Sequence, residues 1–309
     1  MQVYRNTDLL PVCRNAVLTI GTFDGVHTGH QQVINQMKRR AAEVDGETVI
    51  ITFDPHPRTV INAASGIRLI NTLEEKIELL SAKGIDHLVV IPFTEEFAQL
   101  TAEEYISQFL IRNFKPHTII IGHDHHFGKG RSGNYALLKQ QSAVFNYHLQ
   151  EIPAHLLDSI SVSSTRIRNA IEADDMDTAN NLLGYIYFFS GEVIEGNKLG
   201  RTIGYPTANL SIKDKYKLIP GDGVYAVDTE VSDEPGIIYK GMMNIGFRPT
   251  VDGSKRMIEV NIFNFDREIY GKNLKVFVKK FLRAEQKFEN LEALKAQLAM
   301  DKVQANLEI

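Results

Sequence analysis

Apolar residues run through Ala16, Val17, Leu18 and Ile20, stop at Gly21, and resume at Val33, Ile34, Met37 and Ala41, which share one helical face. The pattern predicts a strand, a tight loop and a helix opening near Gly29. Further apolar segments at Thr48–Phe53, His87–Ile91, His117–Ile121 and Val144–Leu149 alternate with helical patterns at Leu73–Lys83, Ala102–Asn113, Tyr135–Gln141 and Ser164–Glu172. Such alternation predicts an α/β unit with a parallel sheet, whose ligands bind outside the strands' carboxyl ends. The acidic, then polar stretch Glu172–Asn181 predicts a helical connector. Beyond it lie short β runs, Ile186–Ile194, Gly223–Val231, Ile237–Ile245, Met257–Phe265 and Leu274–Phe281, and one strong helix, Leu291–Met300. Strands without crossover helices predict an antiparallel β-barrel with the terminal helix outside it. Two domains are expected, residues 1–183 and 184–309.

The length of 309 residues suits two domains, and a 43% hydrophobic content is globular. A net charge of -4 argues against a broad nucleic-acid or membrane-surface footprint but leaves room for a local cationic pocket that takes a small anion. Cys13 is the one cysteine, which rules out an intramolecular disulfide and a cysteine-based zinc site and fits a reducing cytoplasm. The amino-terminal MQVYRNTDLL lacks the pattern of a signal peptide, and no apolar stretch reaches the roughly 20 residues that span a bilayer. A soluble, cytoplasmic protein is expected.

The chemistry-bearing residues fall at the predicted carboxyl ends. His27 and His30, in His-x-Gly-His, sit where loop becomes helix, so their ring N–H groups can join the unpaired backbone donors that bind phosphate there. Gly29 lets the backbone approach an anion. Two histidines capping an ordinary loop is the plain alternative. In FDPHP, two prolines hold Asp54 and His56 on stiff backbone. GHDHHFGKGRSGN gathers three histidines, Asp124, Phe127, Lys129 and Arg131; its His-x-His-His spacing is no standard metal site, and substrate contacts fit it better. Ser163 and Ser164 are good helix caps, while Arg166 and Arg168 stand where the helix dipole disfavours cations unless an anion is present. In the second half, GNKLGRTIGYPTANL frees the backbone at Gly200 and Gly204 and offers Thr207 and Asn209 to a hydrated Mg²⁺ and its phosphates. Ile258, Val260 and Ile262 alternate with Glu259 and Asn261, which face the other way.

The strings GTFDGVHTGH, FDPHP, GHDHHFGKGR and VSSTRIR resemble the Rossmann-like HxGH nucleotidyltransferases, and among them the adenylyltransferase half of the bacterial bifunctional riboflavin kinase/FMN adenylyltransferases; GYPTANL, GVYAV, NIGFRPT and EVNIFNFDREIYGK resemble their kinase half. The resemblance implies that His27 and His30 bind ATP phosphates with Gly21, Phe23, Asp24 and Gly29, that Ser163, Ser164, Thr165 and Arg166 clamp them from the opposite side, and that Asp54, His56, Asp124, Phe127 and Arg283 contact flavin. It implies further that Gly200, Thr207 and Asn209 position Mg-ATP and that Glu259 is the kinase base. Asn261 and Asn264 depart from a His and an Asp more usual in that string. The implied substrates are riboflavin, FMN and ATP, the implied product FAD; neither nucleic acid nor membrane is expected as a partner, and oligomeric state is not readable.

Overall fold

Every residue of the strand Val17–Ile20 is buried, as a parallel strand covered on both faces requires. In the computed structural model it belongs to the first of two compact units, Met1–Ser164 and Thr165–Ile309. The structure describes residues 1–309 except 6–9, 11, 63–65, 123–124, 153–161, 197–198, 251–252 and 309.

The first unit holds strands β1 (Gln2–Tyr4), β2 (Val17–Ile20), β3 (Thr48–Asp54), β4 (His87–Pro92), β5 (Thr118–Gly122) and β6 (His148–Ile152) in one sheet of order β1-β4-β3-β2-β5-β6. All its pairings are parallel. Helix α1 (Thr28–Glu43) buries Val33, Ile34, Met37 and Ala41, the face anticipated from spacing. One expectation needs correction. The sixth strand begins at His148, because the helix Tyr135–Phe145 runs on through Val144 and stops where Asn146 takes a left-handed φ of 55°. The helix expected over Ala102–Asn113 is present, running from Ala102 to Phe114, with a π-helical stretch across Tyr105–Ile111 that buries Tyr105, Ile106, Phe109 and Leu110.

In the second unit, β7 (Phe188–Ile194), β8 (Ala208–Ser211), β9 (Gly223–Val231), β10 (Ile238–Thr250), β11 (Gly253–Ile262) and β12 (Asn273–Arg283) close into a barrel of order β10-β11-β8-β7-β12-β9, every pairing antiparallel. Its wall buries Tyr187, Phe188 and Phe189, so this aromatic run is core. Ala305 of the terminal helix Leu291–Glu308 packs with Ala226, Met242 and Phe263, and its Asp301 accepts two bonds from the Arg283 guanidinium, at 2.9 and 2.7 Å. The connector forms the helix Met176–Leu183. Asn180 fastens it to the barrel, donating to the carbonyls of Val278 and Lys279 and accepting from the Tyr187 amide. Among the described residues no helix is long and apolar enough to cross a membrane.

Candidate active sites

The loop after β2 is held in conformations that side chains rarely adopt, with φ of 48° at Phe23, 92° at Gly25 and 37° at Val26. A positive φ at a β-branched valine is costly, so the surroundings must enforce it. Asp24 is the enforcer: it is 2% exposed, its Oδ1 accepts from the amides of Ile70 and Asn71 at 3.0 and 3.2 Å, and its carbonyl accepts from Ser164 Oγ at 2.9 Å. Asp24 and Ser164 thus hold the loop that leads into the His-x-Gly-His segment.

His27 is the N-cap of α1, its Nδ1 accepting from the His30 amide at 3.3 Å. That acceptor role puts the proton of a neutral His27 ring on Nε2, where it can be donated to a ligand. The two imidazoles stack with centroids 3.7 Å apart. A Cβ on Gly29 would lie 3.2 Å from the His27 ring, and one on Gly21 would lie 3.3 Å from the Phe23 ring, so both glycines make room for aromatic neighbours. Burial, then His27, then Lys76 hold the His30 imidazole well below its ordinary value. Among the described residues, His30 Nδ1 is buried without a hydrogen bond.

Sequence reasoning missed Lys76. It stands on the helix Leu73–Ala82, only 6% exposed, with Nζ donating to Thr52 Oγ1 at 3.4 Å. Burial lowers its pKa, while Asp24 and Asp54 act in the opposite sense. A lysine in a helical pattern ordinarily reads as solvated, and only its neighbours in space reveal it as a cation set below this loop.

His56 is 9% exposed and caps the short helix Pro57–Ile61, its Nδ1 accepting from the Arg58 amide. Asp54 ends β3, exposed. Phe127 is packed against Tyr105 and His125 and fills the space that Gly133 leaves, so its first role is to anchor its loop. Asp124 lies outside the described residues. Ser163 and Thr165 are exposed at the start of the helix Ser164–Glu172, and Arg166, also exposed, belongs to the second unit.

On the barrel, Glu259 of β11 lies between Asn209 of β8 and Asn244 of β10 in register, so the three side chains share one face. Arg248 reaches Glu259 at 3.3 Å and Glu285 at 3.2 Å, and Asn244 also donates to Glu285. Arg248 and Glu285 were not anticipated; the Arg of NIGFRPT was the available signal. Gly246 has no side chain because Glu285 fills the space where a Cβ would stand. Gly196 leaves room for the Asn209 carboxamide in the same way, and Gly200 for the Tyr205 carbonyl. Asn261, 6% exposed, donates to the Pro206 carbonyl at 2.7 Å and so fixes the turn that carries Thr207. Arg283 is occupied by Asp301, as described above. The side-chain oxygens of Thr207 and Asn209, the residues expected to meet Mg²⁺, are hard donors of the kind that ion takes.

Comparison with known proteins agrees with both halves. Residues 11–166 match the family model described as FAD synthetase, and residues 183–308 the one described as riboflavin kinase. The chain is 37% identical over 290 residues to the bifunctional riboflavin kinase/FMN adenylyltransferase of Haemophilus influenzae, covering 94% of this chain and 93% of that one. It is 39% identical over 289 residues to the protein of that name from Listeria monocytogenes, covering 93% and 90%. Among solved structures, one described as a macrolide-efflux protein from Streptococcus pneumoniae superposes with a TM-score of 0.87 at 31% identity, over 99% of this chain and 98% of that one. The chain belongs to the family of bifunctional riboflavin kinase/FMN adenylyltransferases.

Proposed function

We propose that the barrel phosphorylates riboflavin to FMN with ATP and that the crevice of the parallel sheet adenylylates FMN to FAD, with the reacting groups divided between residues 1–183 and 184–309. In the first step Glu259 takes the proton of the ribityl hydroxyl as it attacks the γ-phosphorus, while Gly200, Thr207 and Asn209 hold ATP. Bound Mg²⁺ supplies charge neutralisation on the phosphates at both sites. In the second step the FMN phosphate attacks the α-phosphorus of a second ATP, and pyrophosphate leaves. His27 and His30 hold the ATP phosphates at the start of α1, Ser163, Ser164, Thr165 and Arg166 close on them, and Asp54, His56, Asp124 and Phe127 line the flavin side. Such transfers need positioning and charge neutralisation more than a covalent nucleophile. Arg283, held by Asp301 of the terminal helix, contacts the flavin at the kinase site. The enzyme works in the cytoplasm on small molecules, without nucleic acid or membrane.

The observation that supports this reading is the row Asn209, Glu259, Asn244, which sets a carboxylate between two carboxamides on one face of a closed barrel. Incubation of the full chain with riboflavin, Mg²⁺ and ATP, followed by chromatography, should yield FAD; FMN alone or no product overturns it. Glu259→Gln keeps size but removes basicity. It should depress FMN formation by roughly a hundredfold to ten-thousandfold, with adenylylation of supplied FMN near wild type, since that phosphate is already anionic. Normal FMN formation by this variant would dismiss Glu259 as the base.

A further inference from the structure

At the amino edge of the parallel sheet, opposite the crevice, three ligand atoms from Cys13, Glu47 and His87 lie within 4.8 Å of one another. We propose that Cys13 Sγ, a Glu47 carboxylate oxygen and His87 Nε2 bind a borderline-soft divalent cation of the Zn²⁺ class, with water as fourth ligand.

Each side chain comes from a segment that the sheet fixes. His87 opens β4, paired with Gln2 of β1 and Val49 of β3. Glu47 leads into β3, its carbonyl accepting from Val17 of β2 at 2.8 Å and its amide donating to Arg14 O at 3.0 Å. Cys13 precedes that same β2 lead-in. Glu47 Oε2 accepts from the Arg14 amide at 2.7 Å, which leaves Oε1 turned toward His87 Nε2 at 3.5 Å. His87 is 8% exposed, and among the described residues its Nε2 is buried without a hydrogen bond. Its Nδ1 lies 3.4 Å from the Tyr4 hydroxyl, the outer contact that orients a metal-ligating imidazole from behind. The nearby Asp86 carboxylate is turned to Thr48, its Oδ2 accepting from both the amide and the hydroxyl.

A tetrahedral zinc site with bonds of about 2.0–2.3 Å spaces its ligands roughly 3.3–3.8 Å apart; Glu47 Oε1 and His87 Nε2, at 3.5 Å, already stand at that spacing, and no pair of the three exceeds 4.8 Å. Thiolate with imidazole selects Zn²⁺ or Co²⁺ and rejects Mg²⁺, which separates this site from the catalytic ion. Binding breaks the S–H bond, forms the metal–sulfur bond and releases the proton to solvent. The exclusion of a cysteine-based zinc site drawn from the sequence therefore narrows to sites built of several cysteines, and this mixed one needs Cys13 alone. The cluster does not suit a reactive cysteine, because burial, Glu47 and Asp86 push the Cys13 thiol up to about 11.

The test uses the full chain, stripped with a chelator and titrated with Co²⁺ in excess Mg²⁺. One Co²⁺ per chain should bind with thiolate-to-cobalt charge-transfer absorption, and Zn²⁺ should displace it. Cys13→Ser should abolish the band, and His87→Gln or Glu47→Gln should weaken binding tenfold or more. Zn²⁺ should raise the thermal midpoint of the wild type and leave the variants unmoved. Glu47→Gln alters a side chain 35% exposed and preserves the fold if Cys13→Ser does not. No charge-transfer band, or a band unchanged in both His87→Gln and Glu47→Gln, overturns the site. FAD formation by Cys13→Ser should match wild type, so this result stands apart from the assignment of the crevice.

Discussion

His30 and Lys76 show what burial does to two titratable groups set beneath one loop. Burial holds the imidazole well below its ordinary value, so at pH 7 it is a neutral hydrogen-bonding group rather than a cation, the form in which the proposed function has it meet phosphate. The unfolded chain takes up this proton near pH 6.5, the folded chain only at lower pH. The stability contributed is therefore complete above about pH 6.5 and is lost as pH falls below it. His30→Gln should flatten the acid limb of a plot of thermal midpoint against pH while leaving the neutral plateau in place; an identical acid limb would show that other groups dominate there. Lys76 strengthens the effect from a position that no local pattern marked, since what distinguishes it is its distance from Thr52, Asp24 and Asp54 in space.

At the scale of elements, the opening of α1 sets stability against function. Gly29 lies inside the helix, where alanine is favoured by up to about 1 kcal/mol, yet an added Cβ meets the His27 ring at 3.2 Å. Gly29→Ala should keep or raise the thermal midpoint and lower adenylylation about tenfold or more by displacing the His27 imidazole, with riboflavin phosphorylation unchanged. Parallel loss of both activities would indicate general damage instead. The same helix was almost wholly legible, because Val33, Ile34, Met37 and Ala41 repeat at helical spacing. The strand β8 was not: Ala208–Ser211 is four residues long, with Leu210 its one large apolar side chain, and only pairing with β7 and β11 makes it a strand. Hence Asn209 could be named as a ligand while its alignment with Glu259 could not. The Val144–Phe145 run misled because an apolar pair suits a helix end as well as a strand start, and Asn146 decides between them.

For the whole molecule, the division of chemistry and the division of packing need not fall at one residue. The reacting groups separate at 183/184 in the proposed function, whereas Asn180 ties the helix Met176–Leu183 to β12 and to Tyr187. The Asp174 carboxylate likewise accepts from the Tyr225 hydroxyl at 2.5 Å. A fragment 165–309 should phosphorylate riboflavin and unfold several degrees above a fragment 184–309, in which the Tyr187 amide and two β12 carbonyls lose their partners. Fragment 1–183 should adenylylate supplied FMN. Equal midpoints for the two barrel fragments would mean that the connector contributes nothing to the barrel, and folded but inert halves would mean that the sites are shared.

The two sheets also differ in how they end. The barrel closes on itself and leaves no strand unpaired, but the open sheet is finished on one side by β1, three residues that begin at Gln2 and cover β4. Beneath that narrow cover runs His-Leu-Val-Val-Ile-Pro, apolar through its middle, whose bared edge would template a neighbouring chain. A chain trimmed by its first five residues would offer this edge to other copies of itself. Turbidity on concentrating an amino-terminal deletion would thus report a bared strand rather than a damaged catalyst.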